Sequence, residues 1–185
     1  MIKLLIILLT PLFIYAKSAT LVKIVDGDSA ILKDGKTRLM CQLGDLDTPE
    51  LKLNNKLKRE MKYCKFSKEK FISAGKLSFK EAKKILKVGQ KYEYTIPRYF
   101  PNKNPVCYLK IPKGLHTELY PYFDKLMVSY GFALPYVIYS TPKQSKYLLR
   151  AAKEAKRYKK GLWKTHPKLM QCLVEHRYSL RSLRN

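Results

Sequence analysis

From Ser18 to Val25 apolar and β-branched residues alternate with polar ones, the period expected of a half-buried strand. Asp26-Gly27 reads as a turn and Ser29 to Lys33 as a second strand. Asp34-Gly35 is a two-residue hairpin signal, and a third strand follows from Lys36 to about Leu43. These strands form an antiparallel meander, which brings the Asp26–Asp28 turn to the same end as the segment Asp45–Glu50. Ahead of them lies an apolar run from Leu4 to Ile14, preceded by Lys3 and followed by Tyr15-Ala16. It is too short for a membrane span. Residues 1–16 therefore read as a secretory signal peptide, with an uncleaved anchor as the alternative.

The period changes further along. Ser78-Phe79-Lys80-Glu81 has the form of a capping box opening a helix to about Lys87, with Phe79, Ala82 and Leu86 on its inner face. Tyr92–Ile96 and Val106–Lys110 read as strands. Thr117 caps a further helix, with Phe123, Leu126 and Tyr130 inward and Gly131 as its stop. Thr141-Pro142 opens a last helix that buries Leu148, Ala151, Ala152 and Ala155 and closes at Gly161, with Trp163 in the core. Leu51 to Lys70 is dense in lysine and reads either as an electrostatic guide at a cleft rim or as a solvated mobile loop. Residues 166–185 read as a basic tail with no assigned function.

A length of 185 residues suits one domain. Lys and Arg number 38 against 14 Asp and Glu, a net charge of +24. Such a charge attracts polyanions, whether nucleic acid, anionic lipid or acidic polysaccharide, although a lysine-rich composition alone can produce it. The acids are unevenly placed, with Asp26, Asp28, Asp34, Asp45, Asp47 and Glu50 in one short stretch. Crowded carboxylates repel, and such crowding is characteristic of sites for a hard cation. Asp34 needs no such explanation beyond its turn. Cys41, Cys64, Cys107 and Cys172 allow up to two disulfides in three pairings, and the histidines are not at zinc-ligand spacing with them.

The segment Ala19-Thr-Leu-Val-Lys-Ile-Val-Asp-Gly-Asp28-Ser, followed beyond the hairpin by Leu46-Asp47-Thr48-Pro49-Glu50, resembles the staphylococcal nuclease family. The likeness extends from about Ala19 to Trp163. It implies an α+β domain over residues 17–165, a five-stranded OB-type barrel with three helices. It also implies Ca²⁺-dependent cleavage of DNA or RNA phosphodiesters, single strands included. Asp28 and Asp47 would be carboxylate ligands and Thr48 a backbone ligand, with Asp26 supporting them from behind. Glu50 would be the general base. Two family arginines are missing, and Gln42 and Asn104 stand in their positions. Loss of an arginine that stabilises phosphoryl transfer costs on the order of 10³–10⁵ in rate. Lys103, Arg98 and Arg38 are the candidates to replace that charge. Reduced nuclease activity is therefore expected, with an inactive nucleic-acid or polyanion binder of the cell envelope as the alternative.

Tyr139 matches a family tyrosine that stacks on a nucleotide, and Tyr136 lies in the same segment. On the implied barrel Cys41 points inward, opposite to Gln42, and Cys107 lies on the fifth strand. Cys41–Cys107 with Cys64–Cys172 is the preferred pairing, while two ordinary buried thiols explain those strand positions equally well. A secreted or periplasmic monomer, without stable membrane insertion once the signal is removed, completes the expectation.

Overall fold

The computed structural model describes residues 17–97, 104–112, 114, 120–136 and 142–182. The leader, Arg98, Lys103, Thr117 and Tyr139 lie outside them. Five strands close a barrel: β1 (Lys17–Ile24), β2 (Ser29–Asp34), β3 (Thr37–Leu43), β5 (Lys91–Thr95) and β6 (Val106–Leu109). They run in the order β1-β2-β3-β6-β5, antiparallel except for the parallel β3–β6 pair. Between β3 and β5 come the two-residue strand β4 (Leu46–Asp47) and helices α1 (Asn55–Cys64) and α2 (Lys68–Ile85). After β6 follow α3 (Phe123–Ser129), β7 (Leu134–Pro135), α4 (Pro142–Arg157), α5 (Leu162–Thr165) and α6 (Pro167–Ser182).

Alternation builds the barrel interior. Ala19 and Leu21 point inward from β1, Ala30 and Leu32 from β2, Cys41 and Leu43 from β3, and Tyr92 and Tyr94 from β5. Ile24 breaks the parity of β1 yet is buried. A register shift between Leu21 and Lys23 supplies the extra residue that turns it inward. The hairpin turn is Gly35-Lys36, closed by the pair Asp34 and Thr37, and Asp34 accepts a 2.6 Å hydrogen bond from the Tyr94 hydroxyl. Cys41 and Cys107 are joined by a disulfide inside the barrel. A second core lies outside it, where Leu57, Phe71, Ala74, Trp163, Leu169, Met170 and Leu173 pack together.

The helices differ from the sequence expectation in three places. Among the described residues there are six rather than three. The lysine-rich stretch is not a loop. Asn54 caps α1, and Leu57, Glu60, Met61 and Cys64 form its inner stripe beneath the lysines. The helix expected to begin at Ser78 begins instead at Lys68, capped by Ser67. Ser78 lies inside α2 and donates its hydroxyl to the Phe132 carbonyl at 2.6 Å, so the capping-box pattern there does not mark an end. The basic tail contains α6, which packs its apolar residues into the second core and is tied to α1 by the Cys64–Cys172 disulfide. None of the described helices is long and apolar enough to cross a membrane.

Asp124 at the start of α3 is 3% exposed, and one of its oxygens lacks a hydrogen-bond partner. Burial, reinforced by Asp45, raises its pKa to about 6. Its unfolded value is 3.8, so the folded chain binds the proton more tightly and loses stability as pH rises from 3.8 through 6. Asp124→Asn should therefore leave stability near pH 3.5 unchanged and increase it at pH 8 by about 3 kcal/mol. Urea unfolding at the two pH values measures this.

Candidate active-site cleft

One end of the barrel carries the acid-rich segments. The β1–β2 turn closes with the Val25 N–H donating to Ser29 O at 2.8 Å, and Asp26 accepts from the Asp28 N–H at 3.1 Å. Asp26 thus braces the backbone of Asp28. Asp28 in turn accepts from the Thr48 N–H at 2.8 Å and from the Ser29 hydroxyl at 3.1 Å. A Cβ on Gly27 would lie 2.7 Å from the Thr48 hydroxyl oxygen, so the middle residue of D-G-D must be glycine for the two motifs to meet.

β4 pairs with β7, setting Asp47 opposite Leu134, and the chain then turns through Thr48, Pro49 and Glu50. This segment rests directly on α2, where a Cβ on Gly75 would come within 2.3 Å of the Glu50 carbonyl oxygen. Asn54 has two tasks. Its Oδ1 caps α1 by accepting from the Leu57 N–H at 2.8 Å, while its Nδ2 donates to Glu50 Oε2 at 2.7 Å.

Two cations meet these acids. Lys56, in the first turn of α1, pairs with Asp47 Oδ1 and with Glu50 Oε1 at 2.7 Å, and donates to the Thr48 carbonyl at 3.0 Å. Arg177 of α6 pairs with the other oxygen of Asp47 and donates to the Pro135 carbonyl at 3.2 Å. Burial alone would raise the Asp47 pKa, but Arg177 and Lys56 outweigh it and hold the carboxyl below its usual range. Burial opposes the charge of Lys56, yet Asp47, Glu60, Asp28 and Glu50 keep its ammonium firmly protonated. Asp28 is pushed well up by burial, with Asp47 and Asp26 adding to the effect against Lys56. Glu60 lies beneath Lys56, 4.0 Å from its nitrogen, and burial raises it to about 7. Its Oε2 has no partner.

Asp26, Asp28, Asp47, Glu50 and Lys56 line a cleft of about 420 Å³ together with Ser29, Gln42, Asn104 and Tyr136. Gln42 and Asn104 are neighbours because Gln42 is in register with Val106 and its N–H donates to Pro105 O. The Gln42 side-chain amide donates to Leu46 O at 3.3 Å, so it binds backbone and brings no charge. Arg38 does not reach the cleft. It is exposed at the hairpin end of β3, opposite Lys33 and roughly 13 Å along the strand from Gln42.

The D-G-D turn, the D-T-P-E segment and the amides at Gln42 and Asn104 now stand around one cleft on a five-stranded barrel. A family model described as Staphylococcal nuclease homologue matches residues 40–165. The chain belongs to the staphylococcal nuclease family. A comparison with curated proteins gives no significant match.

The sequence named Asp28, Asp47 and Thr48 as the ligands of Ca²⁺ in this family's cleft. Their oxygens are of the right kind, but the arrangement does not fit a divalent ion as the side chains stand. Asp47 Oδ1 and the Thr48 carbonyl converge on the Lys56 ammonium, and the other Asp47 oxygen is paired with Arg177. Among the described residues no three His, Cys, Asp or Glu side chains converge as metal ligands.

Sequence reasoning placed Lys56 only among the lysines of a possible cleft rim, and gave no role to Asn54, Glu60, Gly75 or Arg177. Asn54 ahead of the Leu57–Met61 spacing was a legible helix start, which would have set Lys56 and Glu60 on one face. Arg177 carried no local signal.

Alanine at an exposed helical glycine stabilises by about 1 kcal/mol, whereas a Cβ at Gly75 strikes backbone. Gly75→Ala should instead destabilise the domain by about 2–3 kcal/mol and move the backbone amide signals of Glu50 and Leu51. Urea unfolding and ¹H–¹⁵N spectra read both effects.

Proposed function

We propose that this protein binds nucleic acid through its basic surface and that phosphodiester hydrolysis in its cleft is severely impaired. The observation that carries this reading is the chemistry at the two arginine positions, where the cleft presents the amides of Gln42 and Asn104. A guanidinium offers a permanent charge and a two-pronged grip on phosphate, and an amide offers neither. Among the described residues, the cations that meet the cleft acids, Lys56 and Arg177, are already paired with Asp47.

Binding has a separate basis. Lys58, Arg59, Lys62, Lys65 and Lys68 are exposed along α1 and the start of α2, directly after the D-T-P-E segment. A row of this kind suits a phosphate backbone, and the overall charge of +24 favours encounter. Tyr136, on the cleft, offers a face on which a base of a single strand can stack. The leader over residues 1–16 would take the domain to a secreted or periplasmic location.

A second reading, slow Ca²⁺-dependent hydrolysis, is favoured by one observation. Glu50 stands on the cleft with its carboxylate held by Asn54 and Lys56, as a positioned general base would be.

Single-stranded DNA incubated with the domain, with and without Ca²⁺, beside Glu50→Gln, separates the two. Binding should weaken linearly in log–log terms with added salt, at a slope of about −0.7 per phosphate contacted. Cleavage should stay at background in both proteins. Efficient cleavage that Glu50→Gln abolishes would establish a working nuclease. Absence of salt-sensitive binding would remove the nucleic-acid reading.

A further inference from the structure

Lys56 sits where the sequence placed a metal ion. Its nitrogen meets Asp47 Oδ1, the Thr48 carbonyl at 3.0 Å and Glu50 Oε1 at 2.7 Å. Two of these oxygens belong to expected Ca²⁺ ligands and the third to the expected base. The other Asp47 oxygen is taken by Arg177.

The helix that presents this ammonium is fixed at several points. Asn54 caps its start. Leu57, next to Lys56, is fully buried in the second core. Its last residue, Cys64, is bonded to Cys172 of α6, the helix that also delivers Arg177. Glu60, one turn on, adds a buried carboxylate beneath the ammonium. The lysine is thus presented to these oxygens by the fold itself.

A divalent ion of the Ca²⁺ type requires about six to eight oxygen ligands. To gather them here it would have to displace Lys56 from Asp47, Thr48 and Glu50 and leave an ammonium beside a dication. We propose that Lys56 is the resident cation of this cleft, holding the oxygens at which a divalent ion would otherwise bind, so that the wild-type protein takes up no Ca²⁺ there at millimolar concentration. The inference rests on the reading of this cleft as the family's catalytic position. It does not depend on whether nucleic acid is bound or cut, and its test measures neither.

Calorimetric titration with CaCl₂, with Tb³⁺ luminescence as a second probe, is carried out on the wild type, Lys56→Met and Lys56→Gln. Wild type should show no saturable binding. The Lys56 variants should bind at least about tenfold more tightly, and adding Asp47→Asn to them should remove that gain. Wild-type binding as tight as that of the variants overturns the proposal, because Lys56 would then not compete with the ion. Absence of binding in every folded variant overturns it too, because the oxygens would not form a cation position. Should neither variant fold, amine labelling of the wild type read by mass spectrometry gives the answer. Lys56 should stay protected with or without roughly 5 mM Ca²⁺, and Ca²⁺-dependent labelling would overturn the proposal.

Discussion

Asp47 sits between two cations, Lys56 nine positions along the chain and Arg177 130 positions along, and this contact ties α1 and α6 to β4. β4 and β7 fix the backbone of Asp47. α1 brings Lys56 to one of its oxygens and α6 brings Arg177 to the other. A buried carboxylate without partners costs several kcal/mol, and stripping one partner from a buried pair typically costs about 3–5 kcal/mol. The helices are therefore not free to dock elsewhere. The second core and the Cys64–Cys172 bond hold α1 and α6 in the one arrangement that serves both oxygens. Burial raises the pKa values of Asp28 and Glu60, and the neighbouring carboxylates add to the effect against Lys56.

The sequence made the barrel legible because its signals are local. Alternation in β1 to β3, the Asp34-Gly35 signal and the D-G-D and D-T-P-E motifs each work over a few residues, and between them they place Asp28, Asp47 and Glu50 on one cleft, with Thr48 bonded to Asp28 behind it. The helices were harder to read for different reasons. In α1 a capped, apolar-striped helix lies beneath lysines that dominate the composition. In α2 the Ser78–Glu81 pattern imitates a helix start, while the hydroxyl that should cap is spent on Phe132. Arg177 is a long-range partner, separated from Asp47 by 130 positions. No periodicity encodes such a contact. Only the Cys64–Cys172 pair, which ties α6 to α1, pointed towards it.

Charge that attracts a polyanion and charge that stabilises a transition state are different resources, and this chain holds them in different places. The excess of lysine is spread over exposed faces, where it acts at a distance and is screened within about 8–10 Å at ordinary salt. Inside the cleft the balance is reversed. The described lining carries Asp26, Asp28, Asp47 and Glu50, and an uncompensated carboxylate repels a unit negative charge at 4 Å by about 4 kcal/mol at an effective dielectric of 20. Family arginines would offset that repulsion at the point of reaction, but Gln42 gives its amide to Leu46 and Asn104 carries no charge. Lys56 does not offset it either, because Asp47 and Glu50 already share its ammonium. On the proposed reading, electrostatic attraction would bring a nucleic acid to the surface beside the cleft and weaken at its mouth. Such a gradient would be a physical reason for binding and hydrolysis to part company on this barrel.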